Sequence, residues 1–507
     1  MNSRIFLPGW ARRVRVTGFS IAACLMLATS ASAQVTFTVN STDDGVDANG
    51  TDGKCEIPLP APPNTCTLRA AVMQANRMPN AGAVIMLPAG TYKLSIPATL
   101  ANGEENGDLD LIIPSGYSPG PTTINGAGAA STTIDAQGID RILRIDAGRT
   151  VSISGVSLVN GLVTSNDGGG ISNAGSLTLT DCIVSHNSAS IGSSAGGGIN
   201  NLGVLHATRV TFSDNHAGDG GNGGGISNSI HANLTLSQST LSANTAGNDG
   251  GGVSNQSDGG FTVDTSTLAD NTAGFQGGGI YSFLSSPLIM TGSTISGNKA
   301  ASGGGIYSGG DLYARNSTIS GNTATQAGGG FYNVSPGYGN FYNSTIVFNH
   351  ADVVGNGGQG GGVFVDGSNS ASILNVRNTV MAGNTLSLSA VDNDCNGAVG
   401  FYAKNKIGTF VGCSIAAGST GLPTFIDSFA EFGPLQNNGG PTRTHALVPP
   451  SSMINGGLSC VDQNHAHLAT DQRGRPRPPS PPDPQNSTCD IGAFEYNEIF
   501  PAGFELP

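Results

Sequence analysis

Catalysis by general acid and base, or by a bound calcium ion, needs carboxylates that converge, with a Lys or Arg nearby as base or clamp. Asp181, Asp214, Asp264, Asp270 and Asp311 have suitable chemistry, but they fall at different phases of the sequence pattern and none makes a convincing pair. No catalytic residue is assigned. His186, His206, His216, His231 and His350 stand alone without metal-ligand spacing and are mostly read as turn residues. His465 and His467 are closer together but lack the carboxylate support of a zinc centre. Between positions 43 and 53, Asp44, Asp47, Asn49 and Asp52 place oxygen atoms at alternating positions, as a calcium loop would. The acidic residue that closes an EF-hand loop is missing, so an ordinary Asp/Gly turn is the preferred reading. No cofactor is expected.

One binding candidate comes from spacing. Tyr281, Tyr307, Tyr332 and Phe364 recur at a single repeat position that Ser172, Asn200, Ser227 and Ser254 hold earlier in the chain. If the residue before each points inward, alternation along a strand turns these outward as an aromatic strip able to hold sugar rings or another protein. The alternative is that the rings stack on one another and shield the backbone.

Self-similarity dictates the elements that position these residues. Three glycines followed by a buried-type residue begin at Gly168, Gly196, Gly223, Gly250, Gly277, Gly303, Gly328 and Gly360, a period of about 27 residues with one late insertion. Halfway through each repeat comes apolar-x-x-Asn, giving Asn187, Asn215, Asn244, Asn271, Asn298, Asn322, Asn349 and Asn384. Glycine costs about 1 kcal/mol relative to Ala inside a helix, so helical repeats are excluded. Stretches such as Leu177-Thr-Leu179-Thr and Leu234-Thr-Leu236-Ser alternate with period two, which is strand behaviour. Coils stacked about 4.8 Å apart put like residues above one another. The prediction is an all-β chain, a right-handed parallel β-helix, with Ile171, Ile199, Ile226, Val253, Ile280, Ile306, Phe331 and Val363 as a buried ladder. Ser239, Ser266, Ser293, Ser317 and Ser344 form a second ladder, with Cys182 at the same position as a small core residue. The recurrent Asn are read as structural, bonding from coil to coil.

The ends differ. Residues 1–33 carry Arg4, Arg12, Arg13 and Arg15, an apolar run and Ala31-Ser32-Ala33, the layout of a cleavable export signal. A lipoprotein box ending at Cys24 is disfavoured, since Cys24 lies within the apolar run. Removing the signal takes the formal charge from −13 to −17 and takes away Trp10, the one Trp. Such a surface repels nucleic acid and anionic lipid, and no later run is long and apolar enough to span a membrane. Cys55 with Cys66, Cys395 with Cys413, and Cys460 with Cys489 are the first-choice disulfides in an oxidising compartment, although spacing alone leaves connectivity open. Residues 67–77 have helical spacing and suit a lid over the open end of the solenoid. Residues 34–130 are assigned to this cap and the first irregular coils, 131–390 to regular coils, 391–496 to C-terminal coils and cap, and 497–507 to a tail.

Cys66-Thr-Leu-Arg-Ala-Ala-Val-Met-Gln-Ala-Asn76 resembles the CSLREA motif of exported bacterial repeat proteins, with Thr67 for Ser and Ala70 for Glu; Gly107-Asp-Leu-Asp110 and Gly138-Ile-Asp-Arg141 look like the continuation of that region. The repeats resemble the GGA[ILV] and FxxN pairs of polymorphic outer-membrane proteins. Gly433 to Gly440, Thr470-Asp-Gln-Arg-Gly474 and Cys489-Asp-Ile-Gly-Ala-Phe-Glu495 are similar to the choice-of-anchor Q domain. These resemblances imply an exported, surface-associated protein of the pectin-lyase-like superfamily, mostly without assigned activity. The polygalacturonase signatures Asn-Thr-Asp, Gly-His-Gly and Arg-Ile-Lys are absent.

The expectation is a secreted or surface-exposed solenoid for adhesion, display or cell-envelope interaction. Its partner would be an extracellular glycan or a surface protein, and its oligomeric state is left open. A polysaccharide lyase or glycoside hydrolase is the alternative, and a structural spacer a third reading.

Overall fold

The computed structural model describes residues 34–99, 103–164, 167–283, 287–334, 336–351, 359–367, 372–386, 391–426, 428–478 and 488–496. The expected export signal and the tail after 496 lie outside these residues. The described chain is a parallel β-helix whose typical coil has four short strands, for example Ile199–Asn201, Val204–Thr208, Thr211–Ser213 and His216–Ala217. Stacked coil on coil, these make four parallel sheets, called I to IV in that order. Sheet I begins at Leu109–Leu111, sheet II at Val35–Thr38, sheet III at Gly90–Lys93 and sheet IV at Leu162–Val163.

The register is the one the repeat demands. Ile171, Ile199, Ile226, Val253, Ile280, Ile306, Phe331 and Val363 are partners in sheet I, and all are fully buried. The triple glycine has a separate reason at each place. Its first member, such as Gly196 at φ +72°, takes a left-handed conformation that other residues resist. A Cβ on the second, Gly197, would stand 2.5 Å from backbone of the same and the next coil, and one on Gly198 would stand 2.5 Å from the carbonyl oxygen of Gly225.

The eight asparagines form one unbroken chain of buried amides. Each side-chain amide donates to the next residue's Oδ1, from Asn187 to Asn215 at 3.0 Å through to Asn349 and Asn384 at 2.9 Å. The second amide hydrogen serves the coil before, as when Asn271 donates to the carbonyl of Leu241 at 3.0 Å. Each internal amide is thus satisfied, which a buried polar group requires. A second amide ladder, Asn173, Asn201, Asn228 and Asn255, runs along the end of sheet I at 2.7 Å per step. The serine ladder bonds backbone to hydroxyl, as from Ser239 N–H to Ser266 Oγ at 3.0 Å. Cys182 is buried at the same phase, and burial pushes its thiol up.

The predicted lid is the helix Leu68–Ala75, capped by the Thr67 hydroxyl and buried along its whole length. Around it charged residues pair between elements: Arg69 with Asp44 at 2.7 Å, Arg77 with Glu104 at 2.8 Å, Arg141 with Asp108 at 3.0 Å and Arg144 with Asp110 at 2.9 Å. The last two pairs meet off the hydrogen-bond direction, so the buried carboxylates of Asp108 and Asp110 accept no well-aligned hydrogen bond. Burial accordingly raises them, to about 7 and about 6. All three expected disulfides are present, and Cys182 is free.

The C-terminal segment packs on the side of the coils. After the last coil strand, Thr424–Phe425, it makes a hairpin, Phe432–Gln436 with Thr444–Leu447, and turns back along the outer face of sheet III. Thr294 donates to the carbonyl of Arg443 at 2.7 Å, Thr318 to Gln472 at 2.6 Å, and Asn378 to the carbonyl of Leu458 at 2.8 Å. The conspicuous residues of this region are fasteners. Gln472 reaches Thr294 and Thr442, the backbone N–H of Glu495 donates to Asp471 at 3.0 Å, and Arg477 pairs with Glu495.

Candidate functional site

The structure keeps the scattered candidates apart. Asp181 pairs with Arg209 on the surface at 2.6 Å, and Asp311 accepts the backbone N–H of Tyr338 at 3.2 Å. Asp214 and Asp270 sit in left-handed turns, and Asp264 ends a strand of sheet II. His186 and His231 are turn residues, but His206, His216 and His350 lie on strands with outward side chains, because alternation allows any polar residue there. Asp47, Asn49 and Asp52 converge on the Gln74 side-chain amide, which donates to Asp47 Oδ1 at 3.0 Å, to the Asn49 carbonyl at 2.9 Å and to Asp52 Oδ1 at 3.3 Å, and Asp44 does not join them. Asp44 is taken by Arg69 and by the N–H groups of Ser95 and Ile96, Asp47 by Asn49, Glu56 and Gln74, Asn49 by Thr51, and Asp52 by Lys54 and Gln74. Each carboxylate therefore works as a turn or anchor.

Tyr281, Tyr307, Tyr332 and Phe364 do stack outside sheet I, with centroids 5.6, 4.8 and 4.8 Å apart. Outward does not mean open here. Tyr281 and Tyr307 are only 8% and 7% exposed, and burial pushes the Tyr307 phenol up to about 12. Tyr332 and Phe364 are the accessible end of the stack.

A more open site lies on sheet II, at residues outside the candidates named from the sequence. The outward row that holds Thr180, Thr208, Ser237, Asp264 and Thr291 changes to Arg315, Tyr342, Arg377 and Tyr402 in the last four coils, each the register partner of the next. Beside this floor the C-terminal segment rises as a wall. Arg315 Nε donates to Gln463 at 2.9 Å and stands 3.7 Å from the Asp462 carboxylate. Asp462 is also held by the N–H groups of Asn464 and Ala466. Between floor and wall lie two clefts of about 210 and 780 Å³ that share Arg377 and His465.

Within the clefts Asn340 and Asn375 join at 2.9 Å, and Lys404 lies exposed at the wider end. The Arg377 guanidinium makes no hydrogen bond or ion pair among the described residues. Burial pushes the Tyr342 phenol up to about 12, so it remains a neutral hydrogen-bonding ring. This arrangement supplies a free guanidinium on the floor with an aromatic ring in the coil before and the coil after it, suited to an anionic group and to flat apolar ring faces. His465 lines the cleft, and His467 pairs its backbone with Val461. Among the described residues no group of three or more His, Cys, Asp or Glu is placed to hold a metal.

A signal for the floor was present. Arg315, Tyr342 and Arg377 each stand two residues before a member of the small-residue ladder, Ser317, Ser344 and Thr379. Tyr402 escapes that rule because Lys404 adds a residue between Ala403, left-handed like Asn316, Asn343 and Asn378, and the ladder member Asn405.

By its own topology the chain is a parallel β-helix protein, and the comparisons with known proteins do not narrow this to a family. No protein-family model and no curated protein matches the chain. Among solved structures it is similar to pectate lyase Pel9A, at 15% identity and a TM-score of 0.43 over 92% of this chain and 98% of that one. It is also similar to the A-module of the Azotobacter vinelandii mannuronan C-5 epimerase AlgE6, at 12% identity and a TM-score of 0.36 over 68% and 89%.

Proposed function

We propose that the protein is exported and serves as a glycan-binding β-helix, in adhesion or display at the cell envelope, with the cleft along Tyr342, Arg377 and Tyr402 as its binding site. The observation that carries this reading is the open cleft in which the unpaired Arg377 stands between two aromatic side chains, with exposed Lys404 nearby. Three disulfides suit an oxidising compartment, as do the export signal and the CSLREA-like and choice-of-anchor-Q-like motifs, which assign the N-terminal cap and the C-terminal flank. The boundaries at 33, 130, 390 and 496 belong to the same proposal. Tyr332 and Phe364 offer a second, shallower contact.

The second reading is a polysaccharide lyase or glycoside hydrolase. It is favoured by Arg377 and His465, which line both clefts, with Tyr402 in the smaller and Lys404 in the wider, since these side chains can act as clamp, acid or base. A glycan array with the mature protein tests both. Selective retention that is lost in Tyr342→Ala with Tyr402→Ala supports binding there, and loss in a triple Tyr281, Tyr307 and Tyr332→Ala variant would move the site to the aromatic stack. Release of unsaturated or reducing sugars would establish the enzyme instead.

A further inference from the structure

We propose that the cleft selects a heteropolysaccharide in which an acidic sugar is flanked by neutral ones, with the acidic group on Arg377 and the neutral rings against Tyr342 and Tyr402. This deepens the glycan-binding reading and rests on it. Successive coils lie about 4.8 Å apart, close to the length of one sugar ring, so a polymer lying along the solenoid meets one floor residue per unit. The floor then reads aromatic, cation, aromatic from Tyr342 through Arg377 to Tyr402.

The row is closed on one side, because Arg315, the next cation, is already engaged by Gln463 and Asp462. Arg377 is thus the free cation of the floor, and its planar guanidinium can take a carboxylate through two parallel N–H bonds. The tyrosines on either side present neutral rings, which receive the apolar faces of uncharged sugars and offer no positive charge to a second carboxylate. Lys404, exposed at the wider end, raises the local potential without standing in the row.

Net charge acts in the same direction. The chain carries −13 overall, so a polymer with a charge on every unit is repelled along the rest of the surface. One acid per few sugars meets the local positive spot and escapes most of that repulsion.

Isothermal titration of the full mature chain with three probes of equal length tests the inference: a hyaluronan oligosaccharide, in which uronate and neutral sugar alternate, an oligogalacturonate, and a neutral cello-oligosaccharide. The alternating probe is expected to bind at least about tenfold tighter than either other, the equivalent of one charge-assisted hydrogen bond. Arg377→Ala should abolish that advantage, Arg377→Lys should keep part of it, and Tyr402→Ala should weaken the alternating and neutral probes alike. Equal or tighter binding of the oligogalacturonate, or an alternating probe indifferent to Arg377→Ala, overturns the inference. If the neutral probe binds best and depends on the tyrosines, the glycan-binding reading stands and this one falls. If no probe binds, both fall.

Discussion

The carboxylate of Asp394 ends the asparagine ladder, accepting the side-chain amide of Asn384 at 2.8 Å and the Asn384 backbone N–H at 3.1 Å. Its other oxygen accepts the N–H of Thr409 at 2.7 Å. A column of eight neutral amides is thus closed by a residue that offers acceptors on both sides.

Burial raises Asp394 to about 7, and likewise Asp108 to about 7, Asp110 to about 6, Asp249 to about 6 and Glu495 to about 7. A carboxyl whose folded value lies above its unfolded one holds its proton longer in the native state. The associated stability is complete below the unfolded value near 4 and is lost as pH rises through 6 to 7. Urea midpoints should therefore fall between pH 5 and pH 8, and Asp394→Asn should flatten part of that slope. A midpoint that rises over this interval would contradict the assignment.

Asn298 accepts from Asn271 at 2.9 Å and donates to Asn322 at 2.9 Å and to the carbonyl of Leu268 at 2.9 Å. Asn298→Ala strands buried groups on both neighbouring coils, each worth about 1–3 kcal/mol. Chemical denaturation should show a loss of more than about 2 kcal/mol, and a loss under about 0.5 kcal/mol would mean that water replaces the amide.

Glycines separate steric need from conformational need. Gly321, at φ +67°, has nothing within 4 Å of an added Cβ, so Gly321→Ala should cost only the left-handed conformation, about 1–2 kcal/mol. Gly198→Ala drives a Cβ into the carbonyl of Gly225 and should be markedly worse. Thermal melts of the two variants that rank them the other way would refute this account of the third glycine.

Cys182 should be inert to a thiol reagent in the native protein, because it is 2% exposed and its thiol is pushed up by burial. Cys182→Ser should stay within about 1 kcal/mol of the parent, since the Ser239 hydroxyl at the same phase bonds the carbonyl of Ser237 at 2.9 Å. Rapid native labelling would show that this coil opens.

The ladders were legible in the sequence because in a solenoid the neighbour in space is the neighbour one period away. The same regularity exposed the outward row of sheet I, but the burial of Tyr281 and Tyr307 also involves stacking on neighbours such as Phe283, which carries no periodic mark. Asp394 was invisible for a related reason: it follows the last insertion and joins the ladder from a different point of the coil, 10 residues after Asn384.

By itself the amino-acid sequence determined the period, the inward and outward faces of each strand and the lid helix, all of which depend on contacts at one fixed spacing or close in the chain, whereas the cysteine connectivity was settled by the structure. Only the tertiary structure decided where the cleft is. Its wall meets its floor through contacts such as Arg315 with Gln463, 148 residues apart, and the flank is fastened by Gln472 to Ser293, 179 residues apart. Contacts so distant follow from the packing of one irregular segment against the finished coils, and no repeat in the chain encodes them.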